Sequence, residues 1–137
     1  MNLSTPIIWV LLPLGVSLIS LAAFNRKSLS ITLTSLTAFG LSILAYIFPE
    51  SMEIAIGPLN LSFTESLGIL GREITLNYEI LPFISLIYFA AGLWALGSGI
   101  KGISRIFRPT SLVVTALLTA ALGVQPFLYA ALLIETA

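Results

Sequence analysis

The stretch TSLVVTALLTAALGVQPFLYAALLIETA, Thr110 to Ala137, runs for 28 residues with a single charged side chain, Glu135. A bilayer core of ~30 Å takes about 20 residues of helix rising about 1.5 Å each, so the run is too long for one span and too short for two. Two geometries fit it. In one, Gln125 and Pro126 form a turn at the outer surface and the chain re-enters the membrane. In the other, Thr110 to Ile134 is one long tilted helix kinked at Pro126, with Glu135 in water at its outer end. Two features favour the turn. LGVQPF places a glycine, an uncharged polar residue and a proline within four positions, more than a kink requires. Thr110 to Val124, at about 22 Å, is short but feasible as a span once its flanks are counted. With a turn, Glu135 lies about 13 to 14 Å deep, near the midplane.

The rest of the chain has the same character. Of its 137 residues 58% are hydrophobic and 9% charged, with a mean hydropathy of +1.07, which marks an integral membrane protein. Apolar runs at 6–24, 30–48 and 80–100 each match the length of a span. The first reads as a retained helix, because no basic side chain precedes it. Arg26 and Lys27 follow the first run and Lys101, Arg105 and Arg108 follow the third, whereas 49–79 holds Glu50, Glu53, Glu65, Glu73 and Glu79 against Arg72 alone. The positive-inside rule then puts the amino terminus and the 49–79 loop outside, and both basic loops in the cytoplasm. Short alternating stretches between glycines and a proline give that loop an irregular or hairpin-like character. The expected fold is an all-α membrane protein of about five transmembrane helices in one domain: 6–24, 30–48, 80–100, 110–124 and a truncated fifth at 127–137.

Several functions are excluded at once. The chain has neither Cys nor His, which removes disulfides, Cys/His metal sites and Ser/His or Cys/His nucleophiles; neither a metal nor a redox cofactor is expected. Six cations balance six glutamates, so no basic surface exists to follow a nucleic acid. GSGIKG, Gly97 to Gly102, matches the dinucleotide fingerprint in letters only. The run before it has the length of a membrane helix rather than a strand, and its glycines read as a helix end. Arg26 with Lys27, and the Lys101 to Arg108 cluster, read as topological anchors, the alternative being sites for anionic lipid or an acidic partner subunit; Trp9, Tyr46, Tyr88 and Trp94 read as interface anchors and packing rather than a quinone-stacking site.

Two carboxylates are candidates for function. Glu79 opens the third span with Pro82 three positions on, which suits a helix start; the alternative is an acid working at the outer mouth. Glu135 is the stronger candidate, because an acid within the membrane is tolerable only beside a partner or a water-filled cavity. If the turn holds, Ala137 ends in mid-bilayer, and the chain is expected to be the front piece of a longer protein.

In this order of features the chain resembles the antiporter-like, proton-conducting membrane subunits of respiratory complex I, with their relatives in membrane-bound hydrogenases and multisubunit sodium/proton antiporters. Those chains announce the third helix with an L-D-G-L-S type phrase; here it is LNYEILPFISLIYFAAGLW, with Glu79 on the acid and Ser85 later than usual. Their fifth helix carries a glutamate in a phrase like A-x-D-x-F-x-F-F-x-W-E. Here LGVQPFLYAALLIETA follows the same order, with Gln125 for the usual acid, Phe127 and Tyr129 as the aromatics, Ile134 where an aromatic is common, and Glu135 on the glutamate.

The resemblance covers the whole chain but only the first third of such a subunit. It implies that Glu135 pairs with a lysine from a later helix. The pairing favours its charged form, and removal of the lysine's charge lets it take up a proton. It also implies partners: the other membrane subunits of a respiratory or hydrogenase complex, with protons or Na+ carried across an inner or plasma membrane. No catalysis is expected from this chain alone. The rival reading is a small complete four-helix membrane protein with a structural or assembly role, in which Glu135 carries nothing. A membrane enzyme working by carboxylates alone has little support, since Glu135 is the one acid placed inside a span.

Overall fold

Prolines mark where two of the helices begin. Pro82 stands in the first turn of α3 (Leu81–Gly97) and Pro109 in that of α4 (Phe107–Gly123), where a missing N–H costs no hydrogen bond. Pro13 stands near the start of α1 (Leu12–Ala22), inside a helical run that begins at Ile7. The computed structural model describes residues 2–4, 7–23, 25–47, 53–56, 59–64, 66–69, 72–76, 79–100, 106–125 and 128–137. It is mostly helical. α1 continues a π-helical turn at Ile7–Leu11, α2 spans Lys27–Ile47, and a short α5 spans Leu128–Thr136. At 21 residues, or about 32 Å, α2 is long and apolar enough to cross a membrane, while Ile7–Ala22, Leu81–Gly97 and Phe107–Gly123 are shorter apolar helices.

Two of these starts differ from the expected bounds. α2 begins at Lys27 rather than residue 30, because the Arg26 carbonyl already accepts the Ser30 N–H at 3.0 Å. α4 begins at Phe107 rather than Thr110, which draws Arg108 and Pro109 out of the expected basic loop and into a helix. Gly97, the first glycine of GSGIKG, closes α3.

Short strands gather at the end of the bundle where α2 stops and α3 starts. In one sheet β3 (Leu59–Thr64) pairs antiparallel with β2 (Glu53–Ile56), Glu53 facing Ser62, and parallel with β1 (Asn2–Ser4), Asn2 facing Ser62. In the other, β5 (Arg72–Thr75) pairs antiparallel with β4 (Ser66–Ile69) and with β6 (Val124–Gln125), Ile74 facing Val124. The 49–79 segment thus holds β2 to β5. The contributions of β1 and β6, from 50 or more residues away, had no counterpart in the sequence reading.

Large apolar side chains stand on the outer faces of the helices as well as in the core. The exposed faces of α1 to α4 carry large apolar residues, with Leu18 at 67%, Leu36 at 70% and Leu86 at 69% exposure, while Ser17, Ser20, Ser30, Thr34, Ser42, Ser98, Thr115 and Thr119 are buried. Small residues let helices approach closely, and hydroxyls bond across or along them. Between the antiparallel α2 and α3, Ser42 Oγ donates to the Ser85 carbonyl at 2.9 Å and Ser85 Oγ to the Ser42 carbonyl at 3.0 Å. Gly92 lies beneath the Phe39 ring, which a Cβ there would meet at 2.8 Å, and Phe39 in turn meets Phe89 edge to face.

Toward the strand end, Trp9, Leu41, Ala45, Ile74, Leu76, Leu81, Ile84 and Tyr88 form the main core, in which Tyr88 donates its hydroxyl proton to the Trp9 carbonyl. Trp9 and Tyr88 are therefore core residues rather than interface anchors, whereas Tyr46 and Trp94 are exposed.

The serine pair yields a stability test. Ser42→Ala and Ser85→Ala each remove one donor to a main-chain carbonyl and should each cost about 0.5 to 1.5 kcal/mol. Because the two hydroxyls also lie 3.2 Å apart, they are coupled, and the double variant should depart from the sum of the singles by about 0.5 kcal/mol or more. Chemical unfolding in micelles measures it; two unaffected single variants would show that the crossed bonds do not hold the helix pair.

Candidate functional site

The end of α4 is set by a close approach. Gly123, its last residue, lies against β5 so tightly that an added Cβ would sit 2.7 Å from the Thr75 carbonyl oxygen and 2.7 Å from the Leu76 side chain. Thr75 Oγ1 reaches the Gly123 carbonyl at 3.5 Å. Val124 then turns to extended backbone, φ −70° and ψ 131°, and β6 joins β5. Glycine is needed here for room. The stretch from Thr110 to Ile134 is therefore not one helix: it breaks at Val124 and Gln125, and α5 starts at Leu128. Pro126 itself lies outside the described residues.

α5 packs back on the end of α4. Ala130 joins Ala121 and Val124 in a small apolar cluster, with Tyr129 and Leu133 against it. These residues are the inner face of α5; Ala131, Leu132, Ile134 and Glu135 are exposed. Glu135 stands five residues past Ala130, about 7 to 8 Å further along the helix. Its carboxylate makes no hydrogen bond or ion pair with any described residue, and its neighbours one turn back, Ala131 and Leu132, are apolar.

Glu79 sits in the turn just before α3. The helix N-cap is Ile80, with no side-chain cap bond, and Glu79 stands one residue before it, beside the positive end of α3. It is exposed, and no hydrogen bond or ion pair joins it to Glu135. Among the described residues no group of acidic side chains gathers closely enough to hold a metal ion.

Sequence reasoning missed a third ionisable group. Arg108, taken as a loop anchor, is the second residue of α4 and only 2% exposed. Its Nε and Nη1 are buried and have no hydrogen-bond partner among the described residues. The signal was present in Pro109: a proline in a first turn starts the helix before Thr110, and the helical period then puts Arg108 on the face of Leu112, Thr115 and Thr119.

Set against family models, curated proteins and solved structures, the chain matches none of them.

Gly123→Ala should destabilise the protein by about 1 to 3 kcal/mol, because the new methyl meets a backbone oxygen that cannot move freely. Gly15→Ala and Gly40→Ala, where a Cβ meets nothing within 4 Å, should be neutral or gain up to about 1 kcal/mol. Thermal unfolding of the three variants decides; equal behaviour would remove Gly123 from its place against β5.

Proposed function

We propose that this chain is the N-terminal part of a multi-pass, proton-translocating membrane subunit of the antiporter-like kind, with Glu135 as its proton-carrying acid. The membrane placement is supported by the helix faces: large apolar side chains stand outward, and the buried hydroxyls are bonded. α1 with its π-helical turn, α2, α3 and α4 then act as spans, and α5 re-enters after the break at Val124 and Gln125. The strand end faces outside, and the end bearing Arg26, Lys27 and Arg108 faces the cytoplasm.

The observation that carries the functional reading is the position of Glu135. It stands on the side of α5 turned away from α4, beside Ala131 and Leu132, with no partner among the described residues. In a bilayer a carboxylate in such a setting needs a cation or a watered cavity supplied by a neighbouring helix. A lysine approaching that face holds the carboxylate charged, and a lysine withdrawing leaves it to bind a proton. Alternation between those states moves a proton with no redox group in the chain. Glu79, exposed at the start of α3, is the second candidate acid, at the outer mouth. The partners on this reading are further membrane subunits of a respiratory or hydrogenase-like complex.

In the full-length subunit within its complex, Glu135→Gln keeps shape and hydrogen-bonding capacity but loses titration, so pumping should fall severely while the complex stays assembled. Glu135→Asp keeps the acid and shortens its reach, with a milder loss. Proton uptake in vesicles, read beside an assembly check, is the measurement. Normal pumping by Glu135→Gln would return the residue to a packing or tail role.

A further inference from the structure

Arg108 is a buried cation in a layer that offers it nothing. One turn further into α4, Leu112 packs with Val16 of α1, Ala38 of α2 and Ala91 of α3. Stepping each helix one turn toward the cytoplasmic end gives the next layer: Arg108, Ser20, Thr34 and Ala95, each buried to 98% or more. The hydroxyls of that layer are already engaged. Ser20 Oγ bonds Ser30 Oγ at 2.7 Å and Thr34 Oγ1 at 3.3 Å, and Thr34 gives its proton to the Ser30 carbonyl at 2.8 Å. None of them reaches the guanidinium.

Acids are equally remote among the described residues. Glu53 and Glu73 lie in strands at the opposite end of the bundle, Glu79 begins α3 at that same end, and Glu135 lies on α5. The start of α4 adds to the positive field: its first turn holds no acidic residue, and the N-cap, Ile106, makes no side-chain cap bond. Long side chains in helices lean toward the N-terminus, which brings the guanidinium of Arg108 to that same positive end. Arg26 and Lys27 stand there too, at the start of α2, with Lys27 Nζ tied to the Gly99 carbonyl at 2.7 Å.

A buried charge with unpaired donors calls for an anion. We propose that Arg108 and the N-terminal turn of α4 form a binding site for a phosphate group, supplied by the headgroup of an anionic phospholipid of the cytoplasmic leaflet. This rests on the membrane reading above, which puts the start of α4 at the depth where lipid phosphates are concentrated. Guanidinium is suited to that ligand, since its planar array of N–H donors can engage two phosphate oxygens at once. The lipid supplies the counter-charge that the described residues lack, and locks the cytoplasmic ends of α1, α2 and α4 together.

The test uses the whole chain, wild type beside Arg108→Gln and the exposed control Arg26→Gln, in discs of phosphatidylcholine with or without phosphatidylglycerol. A chain that stays in solution without detergent would sink the membrane reading before any lipid is added. Otherwise phosphatidylglycerol should raise the unfolding midpoint of wild type and Arg26→Gln by roughly 3 to 5 °C and leave Arg108→Gln unchanged. Inorganic phosphate added to pure phosphatidylcholine discs should not reproduce the rise; if it does, the lipid as source is overturned. Native mass spectrometry of wild type should retain one phosphatidylglycerol per chain and no phosphatidylcholine, which decides the matter even if Arg108→Gln does not fold. Equal retention of both lipids, or protection of Arg108→Gln equal to wild type, would overturn the site.

Discussion

Ser42 and Ser85 each hand a proton to the other's carbonyl, and the hydroxyls of Ser17, Ser35, Thr115 and Thr119 bond carbonyls of their own helices. The buried hydroxyls of α1 to α4 are in this way satisfied inward, which frees the outer faces to be apolar. The small side chains that make these bonds also let α2 and α3 approach until Phe39 lies over Gly92. Close packing and inward satisfaction are one requirement, and the large residues displaced from the interior, such as Leu36 and Leu86, form the outer surface.

The strands at one end extend the same logic to the chain's reversal. A helix end leaves carbonyls and N–H groups without partners, and the break at Val124 and Gln125 meets that need by pairing β6 with β5. Gly123 makes the pairing sterically feasible. The segment that carries β5 is thus more than a connection, since it holds the point where α4 stops and from which α5 takes its direction. Where Glu135 stands follows from contacts made by Gly123, Thr75 and Ile74, about 60 residues earlier in the chain for the last two.

Much of this could be read from the letters. The four apolar helices, of which α2 is the longest, come from run length, and the end of α4 from glycine, glutamine and proline within four positions. What escaped were features set by contacts distant in sequence. Periodicity gives no hint that Asn2–Ser4 pairs with β3, or that Ile7–Leu11 winds as a π turn with its carbonyl at Trp9 held by Tyr88. Arg108 escaped for another reason: charge counting treats every arginine beside a span as an anchor, while Pro109 already placed this one inside a helix.

The central claim is that the apolar outer faces of this bundle meet lipid. The chain has no cysteine, so a single introduced cysteine takes one spin label at a chosen position. Labels at the outward positions 36, 86 and 134 should collide with dissolved oxygen far more often than with a water-soluble nickel chelate, while labels at the inward positions 38 and 91 should be shielded from both. Frequent collision with the nickel chelate at 36 and 86 would mean that water, not lipid, lies against these faces, and the membrane account of the fold and of Glu135 would fail together.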